Sequence, residues 1–242
     1  MDDAHLPHAS DVAETASHQP FVSERDRAAG LSARLVALGP RGLTEAETLE
    51  LILARCLPRG ADPQSAAESL LARFGCIGRI VGADPVALAA VIGAGAAGEL
   101  TAMHALLLRA LEHPLARRCV LTSSQAVKAY LRLSLAAAPR EAFHVLFLDK
   151  ANQLIVDERM GIGTVDHAPV YPREVVRRAL ELSASAVVLA HNHPTGGSTP
   201  SAADIEMTRR VVEAARALDI AVHDHFLVAG DEVVSFRGLG LM

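Results

Sequence analysis

Apolar positions along the chain fall into two regimes. From about residue 21 to 112 they recur at three- and four-residue steps, the spacing of a helix with one buried face, as with Leu100, Met103, Leu107 and Leu111 in Ala97–Glu112. The punctuation agrees. Thr44 with Glu47 predicts a capping box, Asp62-Pro63 and Asp84-Pro85 each put an N-cap before a proline at the first helical position, and Gly75 closes the helix that Asp62 opens. A small bundle of short helices is expected. His113-Pro114 is its expected end, because the residue before a proline is disfavoured in the helical region.

Beyond that joint the period changes. Ala142–Leu148 (A-F-H-V-L-F-L) has the length and composition of a strand, and Ala186–His191 reads as a buried one. Cys119–Leu121, Leu154–Val156, Gly163–Val170, Ile220–Val228 and Glu232–Phe236 are further expected strands, with helices over Ser124–Leu135, Pro172–Ser183 and Ser201–Leu218. Strands and helices interleaved in this way predict an α/β sandwich with a mixed sheet. Residues 1–20 combine Ser, Thr, His, Pro and acid with little apolar content, so they cannot offset their ordering entropy and are expected to be a disordered tail.

Composition narrows the function. Half of the 242 residues are apolar, enough for a sizeable core, while six Phe, two Tyr and no Trp leave little to stack on bases. Residues 1–112 carry 9 basic and 14 acidic groups, and residues 113–242 carry 14 of each. Neither half has a basic footprint, so contact with nucleic acid is expected to be weak at best. Cys56, Cys76 and Cys119 form no C-x-x-C pair, and their odd number suits a reducing compartment. The N-terminus lacks the apolar stretch of a secretory signal, and the short apolar runs Leu51–Leu57 and Ala186–Ala190 fall far below the roughly 20 residues of a membrane span. A cytoplasmic protein without a membrane partner is expected.

The chemistry concentrates in Val187–Pro194, V-V-L-A-H-N-H-P. Residues i and i+2 of a strand face the same side, so His191 and His193 converge at a strand end as half of a zinc site. Asp204 follows eleven residues after His193, at the start of a helix that a Gly-Gly-Ser-Thr-Pro loop allows to fold back over the strand end. Three protein ligands with one open position are the arrangement of a catalytic zinc. Other readings compete. An H-x-H pair also suits surface or core histidines, and Ser201-x-x-Asp204 is also what a capping box looks like. A second pair, His223-x-His225, has no carboxylate at a comparable return distance and reads as structural or as supporting the ligands. Glu141, Glu158 and Glu174 compete for the role of general base, although Glu174 also fits an acid favoured by a helix N-terminal dipole.

H-x-H-P followed by S-x-x-D, with a glutamate upstream, resembles the JAMM (MPN+) zinc metalloprotease signature. The form His191-Asn-His193-Pro-Thr-Gly, with Tyr171-Pro-Arg-Glu174 upstream and Asp224-His225 downstream, is similar to its bacterial RadC branch over about residues 117–242. Thr195 stands where that branch carries Ser. Residues 21–112 resemble the branch's helical domain, which ends in a helix-hairpin-helix-like turn, here Val91-Ile-Gly93-Ala-Gly95, with a small Ala94 and no Lys after the turn.

The resemblance implies an MPN/JAMM-type, cytidine-deaminase-like α/β sandwich behind a small all-helical domain. It implies one zinc per chain held by His191, His193 and Asp204, and a hydrolase acting on a protein or peptide amide or isopeptide. Glu141, in Arg140-Glu141-Ala-Phe143, matches the family's catalytic glutamate and would take the proton of the attacking water, while Ser201 would offer its hydroxyl to the oxyanion. Asp224, His225 and Glu174 would stand behind the ligands. The customary label of the branch supplies the alternative, a DNA-associated repair or recombination factor whose helical domain contacts duplex DNA. Gly93-Ala-Gly95-Ala-Ala-Gly98 has the letters of a dinucleotide fingerprint but follows helical punctuation instead of a strand, so no nucleotide cofactor is expected.

Overall fold

Side-chain caps open the first helices of the computed structural model, which describes residues 24–117, 119–120, 124–162 and 170–242. The expected disordered tail lies outside the described residues. The helices are α1 (Glu24–Leu38), α2 (Glu45–Cys56), α3 (Pro63–Phe74), α4 (Ile77–Val81) and α5 (Pro85–Leu115). Thr44 and Glu47 exchange both bonds of a capping box at α2, Asp62 and Asp84 cap α3 and α5 ahead of their prolines, and Gly75 ends α3. Leu49, Leu53, Leu70, Ile80, Leu88 and Leu100 form the fully buried centre of this bundle.

Helix α5 meets one expectation and departs from another. At Gly93 the backbone turns to φ 78 and ψ 159, a conformation cheap only without a Cβ, so two helical stretches meet at a kink within the expected Val91–Gly95 turn. The helix also runs through Pro114 to Leu115, because a proline in the last turn removes one N–H where the ladder is about to end. In consequence Leu100 lies in the first core and Leu115 in the next, with one helix joining them. By length and composition α5 is also apolar enough to cross a membrane, a feature that shorter apolar runs did not reveal. Here its Leu88, Ile92, Ala96, Ala97, Leu100 and Leu115 are buried against protein.

After α6 (Ser124–Leu135) come β1 (Ala142–Leu148), β2 (Leu154–Ile162), α7 (Pro172–Glu181), β3 (Ala186–Asn192), α8 (Ala202–Arg216), β4 (Ala221–Ala229) and β5 (Glu232–Ser235). The mixed sheet has the order β2-β1-β3-β4-β5, with β3 and β4 parallel and every other pair antiparallel. A parallel pair needs a crossover, which α8 supplies. Alternation along β1 sends Ala142, Leu146 and Leu148 toward α6, and Phe143, Val145 and Phe147 toward α7 and α8. The same period puts Val187 and Leu189 of β3 on the α7/α8 face, and His191 continues that row at the strand's end.

Two expected strands differ. Cys119–Leu121 forms none across its described residues: Val120 is buried in the core beside α6 and its N–H donates to the Asn152 carbonyl at 2.8 Å. Strand β2 runs on from Val156 to Ile162 because its polar residues find distant partners, Tyr130 and His144 for Asp157 and Arg178 for Glu158. Of the expected strand Gly163–Val170, all but Val170 lies outside the described residues, and Val170 is in no strand.

Candidate metal centre

The fold brings His191, His193 and Asp204 together at the end of β3. One potential ligand atom from each lies within 4.8 Å of the others. The Nε2 atoms of His191 and His193 are 3.3 Å apart, and Asp204 approaches them at 3.6 Å through Oδ1 and 3.5 Å through Oδ2. His191 is the last core-facing residue of its row, while His193 stands just past the strand and still extends the ladder, its N–H donating to the Val228 carbonyl at 2.9 Å.

Asp204 owes its position to a local device. Ser201 is the N-cap of α8, and its Oγ accepts the Asp204 N–H at 3.1 Å. In return Asp204 Oδ2 accepts the Ser201 N–H at 2.8 Å and the Ser201 hydroxyl at 2.6 Å. The capping carboxylate and the carboxylate of the cluster are therefore one and the same group, with Oδ1 left toward His191. Burial alone would raise the Asp204 pKa. The neighbouring His191 and the hydroxyl and N–H of Ser201 outweigh it and hold the carboxyl well below the usual range.

A directed chain of hydrogen bonds fixes the tautomer of His191. The Thr208 hydroxyl lies 2.6 Å from the Asp204 carbonyl, which can only accept, so its single proton is committed there. The His225 Nδ1, also 2.6 Å from that hydroxyl, must then be the donor. His225 is fully buried, and burial, with His191 beside it, pushes its pKa well below the ordinary value, so the ring is neutral and its Nε2 is an acceptor. His191 Nδ1–H donates to that atom at 2.8 Å, which leaves the His191 Nε2 lone pair facing His193 and Asp204. The other ring is set more simply, as His193 Nδ1–H donates to the Gly197 carbonyl at 2.8 Å. In the neutral form of each ring these bonds make Nε2 the lone-pair atom, and both Nε2 atoms face one point, the tautomer with which a histidine holds a metal through Nε2. Phe236 stacks on His225 at 4.2 Å between centroids, and Phe143 packs against both His191 and His225.

Glu141 precedes β1 directly, and its Oε1 lies 3.8 Å from His193 Nε2. Asn192 holds it there. The buried Asn192 amide accepts the Ala142 N–H at 2.8 Å and donates to the Arg140 carbonyl at 3.2 Å, gripping the chain on both sides of Glu141.

Residues 121–241 match the family profile described as RadC-like JAB domain. A UPF0758 protein from Rhodobacter capsulatus is 46% identical over 214 residues, covering 88% of this chain and all of that protein. The chain belongs to the RadC family.

In this RadC-family chain the remaining sequence candidates lie apart from the three converging groups. Glu174 pairs on the surface of α7 with Arg173 and Arg177, and Glu158 is held by Arg178 through two bonds of 2.8 and 2.5 Å. Of the three competing glutamates only Glu141 reaches a cluster histidine. Asp224 accepts from the N–H groups of His225 and Arg237 and from the Ser235 hydroxyl, so it ties the C-terminal turn to β4. His223, near the other end of β4, donates to Asn152 at 2.6 Å. Thr208 and Asn192 went unnoticed in the sequence. Thr208 stands one helical turn after Asp204, and Asn192 is a polar residue in an otherwise buried strand, which are the only signals either leaves.

Proposed function

We propose that the chain is a zinc-dependent hydrolase of peptide or isopeptide amides, with His191 Nε2, His193 Nε2 and Asp204 Oδ1 as the metal ligands. One observation carries this reading: two imidazoles whose tautomers are fixed to leave both Nε2 atoms free meet a carboxylate, with a further carboxylate 3.8 Å away that is engaged by no guanidinium among the described residues. This donor set suits zinc, and zinc held there supplies Lewis-acid polarisation of a scissile carbonyl and acidification of a water.

The protein's own groups supply the rest. Glu141, with a side chain 12% exposed, takes the proton of the attacking water and delivers it to the leaving nitrogen. Asn192 keeps it within reach by holding both flanking peptides. Phe143 and Phe236 exclude water from behind the imidazoles and fix the planes of His191 and His225. Ser201 is an orienter in this account: its only hydroxyl proton goes to Asp204 Oδ2, and an oxyanion donor would first have to give that bond up.

The test is turnover of a mixed peptide and isopeptide library by the zinc-supplemented full chain, read by mass spectrometry. Cleavage abolished by a chelator and restored by zinc is expected. Zinc-loaded protein that cleaves no member of the library contradicts the reading.

A further inference from the structure

A cleft of about 410 Å³ opens beside the candidate metal centre, between the helical bundle and the α/β sandwich. Arg73, Phe74 and Arg79 line one side, and Pro139, Thr195 and Gly230 line the other. We propose that this cleft is a carboxylate-binding subsite, in which Arg73 and Arg79 select peptide substrates that carry an acidic group beside the scissile amide. The proposal rests on the amide-hydrolase reading above and names its substrate class.

Thr195 is two residues from His193 and Pro139 two from Glu141, so both walls on the sandwich side are continuous with the metal-facing residues. A substrate seated over the metal centre extends into the cleft. Arg73, whose guanidinium lies over the Phe74 ring at 5.5 Å, and Arg79 make no ion pair among the described residues, so two positive charges face this cleft. Arg140, between Pro139 and Glu141, is exposed and likewise makes no ion pair there. Asp84, the acid in the cleft, is turned to the N–H groups of Val86 and Ala87 at the start of α5, and the two arginines leave the lining with a net positive charge.

Arg79 reaches across to the β4–β5 turn, where its Nη2 stands 3.1 Å from the point a Cβ on Gly230 would occupy. Gly230, at φ 58, leaves room for the guanidinium to lie on the turn. A guanidinium with no anion beside it can take a carboxylate through two parallel N–H bonds. A nucleic-acid backbone fits less well, since duplex binders typically neutralise roughly 6 to 10 phosphates and this cleft presents two cations.

The carboxylate can come from a Glu or Asp side chain or from a free C-terminus, and binding to the full-length, zinc-supplemented Glu141→Gln protein separates them. The probes are fluorescent decapeptide pools: one with Glu fixed at successive positions and an amidated end, one with Gln in its place and an amidated end, and the Gln pool with a free C-terminus. A duplex oligonucleotide serves as competitor. Either the Glu pool or the free-C-terminus pool should bind about tenfold more tightly than the amidated Gln pool, which identifies the source. Arg73→Gln and Arg79→Gln should each remove most of that preference while leaving zinc content and Gln-pool binding unchanged. Equal binding of all pools, a preference that survives both substitutions, or strong DNA competition lost in the same variants would overturn the subsite. Cleavage by the wild type is read separately. Cleavage without acidic preference counts against the subsite alone, and acidic preference without cleavage counts against amide hydrolysis alone.

Discussion

His225 accepts the Nδ1–H of His191 at 2.8 Å from a position fully removed from solvent. The contact matters because it transmits the state of Thr208, one helical turn from Asp204, to the Nε2 atom of His191. Thr208→Val keeps shape but removes both the donor to the Asp204 carbonyl and the acceptor for His225 Nδ1–H, so neither tautomer of His225 is then favoured. Zinc affinity should fall about 10- to 100-fold, and Thr208→Ser should retain it. Competition with a chromogenic chelator measures the affinity, while imidazole nitrogen shifts of the metal-free protein should report a mixed His191 tautomer in Thr208→Val. Unchanged affinity and shifts in Thr208→Val would dismiss the relay.

Ser201→Ala separates two roles for one hydroxyl. As the cap and orienter of Asp204, its loss should cost about 1 kcal/mol of stability and weaken zinc binding, with turnover per bound zinc preserved. A donor to the oxyanion would give the opposite pattern, with zinc retained and turnover reduced about 10²- to 10³-fold. The 2.6 Å bond to Asp204 favours the first outcome.

Glu141→Gln keeps the size of the side chain and cannot accept a proton. Zinc content should stay unchanged and turnover should drop about 10²- to 10⁴-fold, with stability altered by no more than about 0.5 kcal/mol. Full turnover in this variant would remove Glu141 from the mechanism.

Glu158 provides the contrast, since Arg178 engages it in two hydrogen bonds and holds its pKa below the ordinary 4.5. A depressed carboxyl pKa contributes stability that is present above about pH 4.5 and is lost as the pH falls through the depressed value. The pair is partly solvent-exposed, so Glu158→Gln should cost only about 0.2 to 1 kcal/mol near pH 7 and nothing in strong acid. Zinc content and turnover should match the wild type. Denaturant melts at several pH values check the first statement, and an activity loss in this variant would reopen the choice of base.

What the sequence disclosed follows the range of the interactions involved. Thr44 with Glu47, Asp62 before Pro63, Asp84 before Pro85 and Ser201 with Asp204 act within about one turn, and each was legible as a cap. His191 and His193 were legible as a pair because strand alternation is also local. The supports of the site were hidden because their partners are remote: Asn192 grips residues some 50 positions away, and His225 meets Thr208 and His191 across 17 and 34 positions. The length of β2 was hidden for the same reason, since the polar run Asp157–Arg159 reads as a loop until Tyr130, His144 and Arg178 are placed around it.

Metal content of the purified full chain, beside the His191→Ala/His193→Ala double variant, tests the account most directly. The wild type should hold about one zinc per chain, and the double variant should hold none while remaining folded. Equal zinc in the two proteins would contradict the assignment of the centre, and with it the proposed chemistry.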